Sequence, residues 1–400
     1  MSNGTLTKSL ALATVAAALL AVPAAAQSEK VLHSFTKGDG DGKTPLSHIL
    51  YNKGVLYGTT EKGGAYGFGT VFELKQTNRI WQETVLFNFP GKSDGAYPKA
   101  GLVIDASGAL YGTTESGGSK DDGIVYRLYR AGNGWAEQVL HNFISGNDGS
   151  HPVADLKIDP TSGNMYGTTY TGGASNCGVV YQLAQSGGTW VQSVIYSLGG
   201  SAGCNSQTGL KEDSLGNLYG TTVTGGQYGY GNVFVLISNN GAWNETILHS
   251  FSSGSDGAYG SGIDINSAGI IYGVTSAGGS HGDGVVFALT KSGGEWNETI
   301  LHDFSGDPDG TTPYGIHVNS STGALFGTTE TGGSTNHGCL FELVPSGNTW
   351  TESVLHSFNG KPDGEFPEAG LALDTKGSTL YGTTAEGGTA NLGSVFSLVP

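Results

Sequence analysis

One position that recurs about every 54 residues along this chain is apolar in some copies and ionisable in others. In consecutive copies the position holds Leu50, Val103, Lys157, Lys211, Asp264, His317 and Ala372. Two residues earlier, the first three copies hold His48, Gly101 and Asp155, and the later copies hold glycine. An acid and a histidine beside lysines are the groups that acid–base chemistry requires. The candidate catalytic residues are therefore Asp264, His317, Lys211, Lys157, Asp155 and His48; the alternative is that they are solvated charges lining a channel.

An Asp-Gly pair is a second recurring feature with possible chemistry. It is found in six copies, at Asp41, Asp94, Asp148, Asp256, Asp309 and Asp363. Calcium prefers carboxylate and carbonyl oxygens, so these aspartates are weak candidates for calcium ligands. Type I turns also favour Asp, because its side chain accepts hydrogen bonds from nearby backbone amides. A structural turn is the favoured interpretation, calcium is the alternative, and no other cofactor or metal is expected.

Aromatic and imidazole rings recur once per copy. Two copies have Phe87 or Tyr196 at one such position. The other five copies have a histidine there: His33, His141, His249, His302 and His356. Replacement by other flat rings favours packing over metal binding at this position. Every copy but the last also contains one tryptophan: Trp81, Trp135, Trp190, Trp243, Trp296 and Trp350. Large aromatic residues usually pack between neighbouring sheets, whereas a partly exposed indole ring could stack on a sugar.

All these positions belong to one repeat, which is present seven times. The signature Leu-Tyr-Gly-Thr-Thr has its aromatic residue at Tyr57, Tyr111, Tyr166, Tyr219, Tyr272, Phe326 and Tyr381. A second signature, similar to Val-Leu-His-Ser-Phe, begins at Val31, Val85, Val139, Val194, Ile247, Ile300 and Val354. In the second copy, turns containing glycine separate four short strands at 101–105, 109–114, 123–128 and 135–143. Each repeat therefore predicts one four-stranded antiparallel sheet.

The order of the strands indicates that the sheets close into a ring. The last copy ends at Leu398 after its third strand, and Val31 to Phe35 is a fourth strand that precedes the first copy. Pairing these two segments completes the seventh sheet. A solenoid would gain nothing from this arrangement and would need capping repeats. We predict an all-β fold, a seven-bladed β-propeller with four antiparallel strands per blade, whose N-terminal strand closes the last blade.

The chain has three cysteines, of which two fall on neighbouring elements. Cys177 begins a predicted third strand, and Cys204 lies in the next inter-blade connection, where other copies have Asp-Gly. In a four-stranded blade these two segments share one face of the ring. A disulfide requires Cα atoms within about 7 Å of each other. We predict a Cys177–Cys204 disulfide in place of the missing turn, with Cys339 free and buried.

The repeat resembles the tandem family called GloVer repeats. The resemblance lies in Leu-Tyr-Gly-Thr-Thr-x-x-Gly-Gly at Leu56 to Gly64, followed by Gly-x-Val-Phe-x-Leu at Gly69 to Leu74. It extends over essentially the whole chain after the first 26 residues. The resemblance implies an exported bacterial protein and implies no particular activity. A weaker likeness to NHL-type propellers, at Pro98 to Tyr111, supports the fold.

Composition and the N-terminus indicate the compartment. Residues 1–26 contain Lys8, an apolar run from Leu10 to Val22 and small residues before Gln27, which is typical of a signal peptide. This leaves residues 27–400 as a single propeller, expected to be secreted to the periplasm or the extracellular space. The apolar run is too short to span a membrane, so no membrane insertion is expected. A net charge of −16 disfavours nucleic acid as a partner.

Two functions from different classes fit the sequence. The first is a secreted, monomeric binding or scaffold module that recognises a glycan or protein partner on its loop face. The second is an extracellular polysaccharide-active enzyme, a hydrolase or lyase, with its site at the mouth of the central channel. The ionisable positions around Asp264 and His317 favour the second. The symmetry of the repeats favours the first, as does the lack of a nucleophile elbow, zinc motif or phosphate loop in the sequence.

Overall fold

The strands of the computed structural model, which describes residues 28–38 and 40–400, form seven four-stranded antiparallel sheets around an axis. Blades are numbered 1 to 7 by their innermost strands: Leu50–Asn52, Val103–Ile104, Lys157–Ile158, Lys211–Glu212, Ala258–Ile265, Thr311–Val318 and Ala372–Leu373. The second strands are Val55–Thr60, Leu110–Thr114, Met165–Thr168, Leu218–Thr222, Ile271–Ala277, Leu325–Thr331 and Leu380–Thr384. The predicted seven-bladed propeller is confirmed, and the predicted signal peptide lies outside the described residues.

The outer half of each blade is more regular than the inner half. The third strands are Thr70–Thr77, Ile124–Ala131, Val179–Ser186, Asn232–Asn239, Val285–Ser292, Cys339–Ser346 and Ser394–Val399. The fourth strands are Ile80–Asn88, Gly134–Asn142, Thr189–Ser197, Ala242–Ser250, Glu295–Asp303, Thr349–Ser357 and, for blade 7, Ser28–Ser34. Each third and fourth strand pair through a bulge, as at Val125 and Tyr126 in blade 2.

Short elements line one face of the ring, which we call the loop face. This face carries the connections between second and third strands and those between blades; the other two turns of each blade lie on the opposite face. Two-stranded ladders join Gly42–Lys43 to Lys62–Gly63 and Gly364–Glu365 to Glu386–Gly387. Single 3₁₀ turns follow the fourth strands of blades 1 to 3, at Lys92–Asp94, Gly146–Asp148 and Gly200–Ala202.

The N-terminal strand closes the ring by completing blade 7. Ser28–Ser34 pairs antiparallel with Ser394–Val399, with Ser28 opposite Val399 and Ser34 opposite Ser394. The following residue, Phe35, is fully buried. Its ring meets the ring of Phe72 in blade 1 edge-on, with centroids 5.3 Å apart. One short segment therefore supplies both the edge of blade 7 and the packing that joins blade 7 to blade 1.

The core between blades is a repeated edge-to-face aromatic contact. A buried phenylalanine after the fourth strand meets a ring on the third strand of the next blade in six of the seven interfaces: Phe35–Phe72, Phe89–Tyr126, Phe143–Tyr181, Phe251–Phe287, Phe304–Phe341 and Phe358–Phe396. The glycine of Tyr-Gly-Thr-Thr makes room for this ring. A Cβ at Gly58 would lie 2.5 Å from Cζ of Phe72. Burying each such ring stabilises the fold by about 2–3 kcal/mol.

The Thr-Thr pairs connect the inner strands of adjacent blades by hydrogen bonds. Thr59 Oγ1 donates to the carbonyl of Ala100 at 2.9 Å, from blade 1 to blade 2. Thr383 Oγ1 donates to the carbonyl of Ser47 at 2.8 Å, from blade 7 to blade 1. These hydroxyls are buried, so each bond gives a partner to polar groups that would otherwise be buried without one. The repeat signature is thus mainly a structural one.

A disulfide fastens the interface between blades 3 and 4. Cys177 and Cys204 are bonded, with Cα atoms 4.4 Å apart. The backbone amide of Asn205 donates to the carbonyl of Cys177 at 2.9 Å, which holds the two loops together beside the bond. Cys339 is free and buried, and its amide donates to Thr329 Oγ1.

Within the described residues, no helix is both long and apolar enough to cross a membrane.

Candidate binding site in the central cavity

The innermost strands of all seven blades surround one cavity of about 1030 Å³. Its wall has three layers, because each inner strand runs from the loop face toward the opposite face. The mouth, on the loop face, contains Lys99, Glu115 and Glu368. The middle layer contains His48 and Asp155 together with glycines. The deep layer contains the ionisable residues aligned with Lys157.

His48 and Asp155 form an ion pair that passes in front of blade 2. His48 Nδ1 lies 2.9 Å from Asp155 Oδ2, although the residues belong to blades 1 and 3. Gly101 of blade 2 lies between them and donates its amide to Asp155 Oδ1. A Cβ at Gly101 would lie 2.7 Å from His48 Cε1 and 2.9 Å from Asp155 Oδ1, so a larger residue would separate the pair.

The two partners shift each other's pKa in opposite directions. The charge of Asp155 raises the pKa of His48, and this outweighs burial and the nearby positive charge of Lys211. Burial alone would raise the pKa of Asp155, but the charge and hydrogen bond of His48, the Gly101 amide and Lys211 lower it overall. Both side chains remain partly open to the cavity, at 32% and 27% exposure. The pair therefore presents a donor and an acceptor to anything that enters.

The deep layer contains a second cluster, around Asp264. Lys211 Nζ lies 3.4 Å from Asp264 Oδ1, and His317 Nδ1 lies 3.4 Å from Asp264 Oδ2. The backbone amide of Val318 donates to Asp264 Oδ2 at 3.0 Å and fixes the carboxylate. Burial lowers the pKa of His317, the charges of Lys211 and His48 act in the same direction, and Asp264 opposes them. His317 is therefore a neutral imidazole near neutral pH.

Lys157, the remaining candidate of the deep layer, pairs with a residue that the sequence analysis did not select. Its Nζ lies 3.4 Å from Glu212 Oε2 on the inner strand of blade 4. Burial raises the pKa of Glu212, against the opposing charge of Lys157. The structure thus brings all six candidate catalytic residues to one cavity. It distributes them over three ion-paired groups.

The mouth of the cavity holds charged and aromatic residues that the sequence analysis also missed. Lys99 Nζ bridges Glu115, at 2.9 Å, and Glu61, at 3.8 Å. Burial, reinforced by the charges of Glu330, Glu61 and Glu386, raises the pKa of Glu368 to about 7. Tyr170 and Tyr314 line the same opening. The sequence does contain a sign of this site. When the repeats are aligned, the position two residues before Gly101 is uncharged in every copy except those with Lys99 and Glu368.

The tryptophans lie away from this cavity. Each follows the turn between the third and fourth strands, which places it near the opposite face of the ring. Four of them meet the repeat tyrosine of a neighbouring blade edge-on at 5.9–6.4 Å: Trp81–Tyr381, Trp190–Tyr111, Trp243–Tyr166 and Trp350–Tyr272. Cations lie over the other two, Arg130 above Trp135 and Lys291 above Trp296. Sugar stacking on these rings stays a prediction, and the contacts observed are structural ones.

The aspartates of the Asp-Gly pairs fold back onto the blade that precedes them. Asp256 Oδ2 accepts the amide of Ser252 at 2.8 Å and lies 3.3 Å from His249 Nε2. Asp41, Asp148, Asp309 and Asp363 likewise face the histidine of the preceding fourth strand. Asp94 has Phe87 in that place and faces Glu137 of blade 2, whose pKa it helps to raise. Calcium binding at these six aspartates stays a prediction.

A half-buried glutamate of the next blade completes five of these six contacts, and Gln192 takes its place beside Asp148. Glu245 has the same position at the interface where Tyr196 and Cys204 replace the histidine and the aspartate. These glutamates should make the stability of the ring depend on pH. Burial raises the pKa of Glu137 and of Glu245 to about 7 from 4.5. Each carboxyl contributes stability below the unfolded pKa that is lost as pH rises through the folded value. Buried histidines such as His249, whose pKa is lowered from 6.5, act oppositely at lower pH. We therefore expect the thermal midpoint to fall by several degrees from about pH 6.5 to about pH 8.

The measurement is a series of melting curves in a chelating buffer. Glu137→Gln with Glu245→Gln removes two of the titrating groups without removing their side-chain volume. The variant should lose less stability than the unchanged protein over the same pH range. An equal fall in both proteins would show that other groups carry the effect.

The architecture and the central cavity define a seven-bladed β-propeller with a polar, ion-paired axial site. A model of the Gloeobacter/Verrucomicrobia repeat matches residues 80–263 and 259–400, so the chain belongs to that repeat family, as its motif predicts. No curated protein is significantly similar to it in sequence.

Solved structures share the fold at low sequence identity. One, a Bacteroides uniformis protein named for a proposed 6-phosphogluconolactonase activity, is 13% identical over 86% of this chain and 98% of its own, with a TM-score of 0.56. A protein from Lactobacillus plantarum is 14% identical over 86% of this chain and 99% of its own, with a TM-score of 0.58. At these identities the similarity establishes the fold alone.

Proposed function

We propose that this protein is a secreted binding module that holds a glycan at the loop-face mouth of its central cavity. The observation that carries the proposal is the pairing of the cavity's charges. His48 with Asp155, Lys211 and His317 with Asp264, and Lys157 with Glu212 each form a compensated group. Such groups offer fixed donors and acceptors to hydroxyls while adding little net charge.

Two further features support a sugar ligand. Tyr170 and Tyr314 at the mouth, and Tyr51 deeper in the wall, provide apolar ring surfaces beside these polar groups. A cavity of about 1030 Å³ has room for a short oligosaccharide end. Export is supported by the Cys177–Cys204 disulfide, because such bonds persist in oxidising compartments.

The test measures binding of defined oligosaccharides to the protein from residue 27 onward by calorimetry and saturation-transfer NMR. Asp155→Asn removes the charge that holds His48, and we expect about tenfold weaker binding from loss of one charged hydrogen bond. Asp307→Asn makes the same chemical change at an exposed position outside the cavity and should bind normally. Ligand binding that Asp155→Asn leaves unchanged would contradict the cavity as the site. A protein partner captured in place of any glycan would contradict the ligand class.

One observation favours an enzyme as the second candidate. Burial, together with the charges of Lys211 and His48, lowers the pKa of His317 and favours the neutral imidazole that a general base requires, and Asp264 lies 3.4 Å from its Nδ1. On this hypothesis the cavity would cleave a polysaccharide by hydrolysis or elimination. Incubation with a panel of polysaccharides, followed by mass spectrometry of released oligosaccharides, distinguishes the two. Products that disappear with His317→Gln, at an unchanged melting temperature, would establish the enzyme.

A further inference from the structure

Histidine and carboxylate ligands converge at four of the blade interfaces, far from the axial cavity. Each group combines the histidine of one fourth strand, the aspartate of the following Asp-Gly pair and a glutamate from the fourth strand of the next blade. In each group three donor atoms lie within 4.8 Å of one another: His33–Asp41–Glu83, His249–Asp256–Glu298, His302–Asp309–Glu352 and Glu29–His356–Asp363. We call these the inter-blade triads.

The triad between blades 4 and 5 shows the geometry most clearly. His249 Nε2 lies 3.3 Å from Asp256 Oδ2 and 3.4 Å from Glu298 Oε1. Ligands of a tetrahedral Zn²⁺ ion, bound at about 2.0–2.2 Å, are separated by roughly 3.3–3.5 Å. The two distances from His249 Nε2 therefore match edges of a zinc coordination sphere, and all three donor atoms lie within 4.8 Å of one another.

The triads also contain buried polar atoms that lack hydrogen-bond partners. Oε1 of Glu29, Glu83, Glu298 and Glu352 is shielded from solvent and has no hydrogen-bond partner among the described residues, which is also true of Glu137 and Glu245 at the incomplete interfaces. In the triad between blades 7 and 1, His33 Nε2 and Asp41 Oδ1 are shielded and unpaired as well. Three orphaned donor atoms that point toward one another are costly unless something binds them.

We propose that the inter-blade triads bind divalent transition-metal ions of the zinc type, one ion per triad. Imidazole nitrogen with two carboxylates is a donor set that zinc accepts and that calcium, which prefers an all-oxygen shell, does not favour. Each ion has one ligand from the next blade, so binding ties adjacent blades together. Water or a small ligand completes the coordination.

Solvent can reach at least one of these triads. A surface groove of about 590 Å³ lies against the blade 4–5 interface and is lined by Tyr228, His249 and Asp256. The groove gives an ion a path to the ligands without unfolding. It also leaves room for the water that fills the fourth position.

The remaining three interfaces are natural negative controls, because each lacks at least one donor. Between blades 1 and 2, Phe87 replaces the histidine, while Asp94 and Glu137 retain the two carboxylates. Between blades 2 and 3, Gln192 replaces the glutamate and its amide donates to the Asp148 carbonyl. Between blades 3 and 4, Tyr196 replaces histidine and donates to Glu245, and Cys204 replaces the aspartate. A metal-binding role predicts that ions bind at the four complete interfaces and at none of these.

The experiment is zinc titration of the untagged protein after treatment with a chelator, by calorimetry and elemental analysis. We expect up to four ions per chain, and Co²⁺ in their place should give the visible absorption of tetrahedral sites. Glu298→Gln should remove one ion. The matched control Glu137→Gln changes the same repeat position in an interface that lacks histidine, and it should remove none.

A second variant protects the test against misfolding. His249→Phe copies the residue that blade 1 already has at this position, and it should also remove one ion while the ring stays folded. Absence of zinc binding at micromolar concentrations would overturn the proposal. So would calcium binding with no zinc binding, or an equal loss of zinc in Glu137→Gln and Glu298→Gln.

Discussion

Removal of residues 28–35 is expected to lower the thermal midpoint of the protein by about 10 °C or more. The deletion takes away the whole fourth strand of blade 7, which pairs with Ser394–Val399. It also removes Phe35, whose ring is fully buried against Phe72 of blade 1. Loss of a buried phenylalanine alone costs about 3–5 kcal/mol. Blade 7 would then have three strands, and the ring would be open between blades 7 and 1 with an exposed edge strand at Ser394–Val399.

Differential scanning calorimetry measures this effect, and a peptide separates closure from simple loss of mass. A synthetic peptide of residues 28–35 should restore the midpoint of the shortened chain by re-forming the strand. Phe35→Ala keeps the strand and removes only the ring, so it should fall between the two proteins. A thermal midpoint that the deletion leaves unchanged would contradict the model in which the N-terminal strand closes the ring.

The fold could be predicted from the sequence because the repeat fixes both the size of a blade and its place in the ring. The step between signatures limits each sheet to four short strands. The unpaired fourth strand at Val31 to Phe35 then predicts closure, and the structure pairs Ser28–Ser34 with Ser394–Val399. Both inferences depend on covalent order, which the sequence states directly.

The partners within the site could not be predicted in the same way. Aligning repeats gives the order of residues around the axis, but not which of them touch. His48 reaches Asp155 two blades away only because Gly101 between them lacks a side chain. Glu298 lies on an outermost strand, where the charge of a carboxylate by itself predicts a solvent-facing side chain. The preceding blade covers it, because His249 of blade 4 lies 3.4 Å from its carboxylate, and that covering is a property of the assembled ring.

Adjacent blades are connected at their outer strands by one of two kinds of contact. Most join a histidine and an aspartate of one blade to a glutamate of the next. The interface between blades 3 and 4 has Tyr196 and Cys204 instead, and there the disulfide to Cys177 provides the connection. A covalent bond therefore stands at the one interface that lacks both the histidine and the aspartate.

Replacing Cys177 and Cys204 by serine is expected to destabilise the propeller by about 3.5 kcal/mol. The bond closes a segment with a sequence separation of 27 residues, and fixing such a loop in the unfolded chain accounts for this value. The native interface also has no aspartate–histidine contact to compensate for the loss. Chemical denaturation of the purified variant and of the unchanged protein, both oxidised, measures the difference.

The third cysteine supplies the matched comparison. Cys339 is fully buried and unbonded, and Cys339→Ser changes the same atom without opening a loop. Its Sγ contacts Thr329 Oγ1 and the Asp309 carbonyl, which a serine hydroxyl can also bond, so a small change is expected. If reduction of the disulfide destabilises the unchanged protein as much as the double substitution does, the bond itself is responsible. Equal stability of the oxidised and reduced proteins would instead place the strength of this interface in the packing of Leu198 and Phe234.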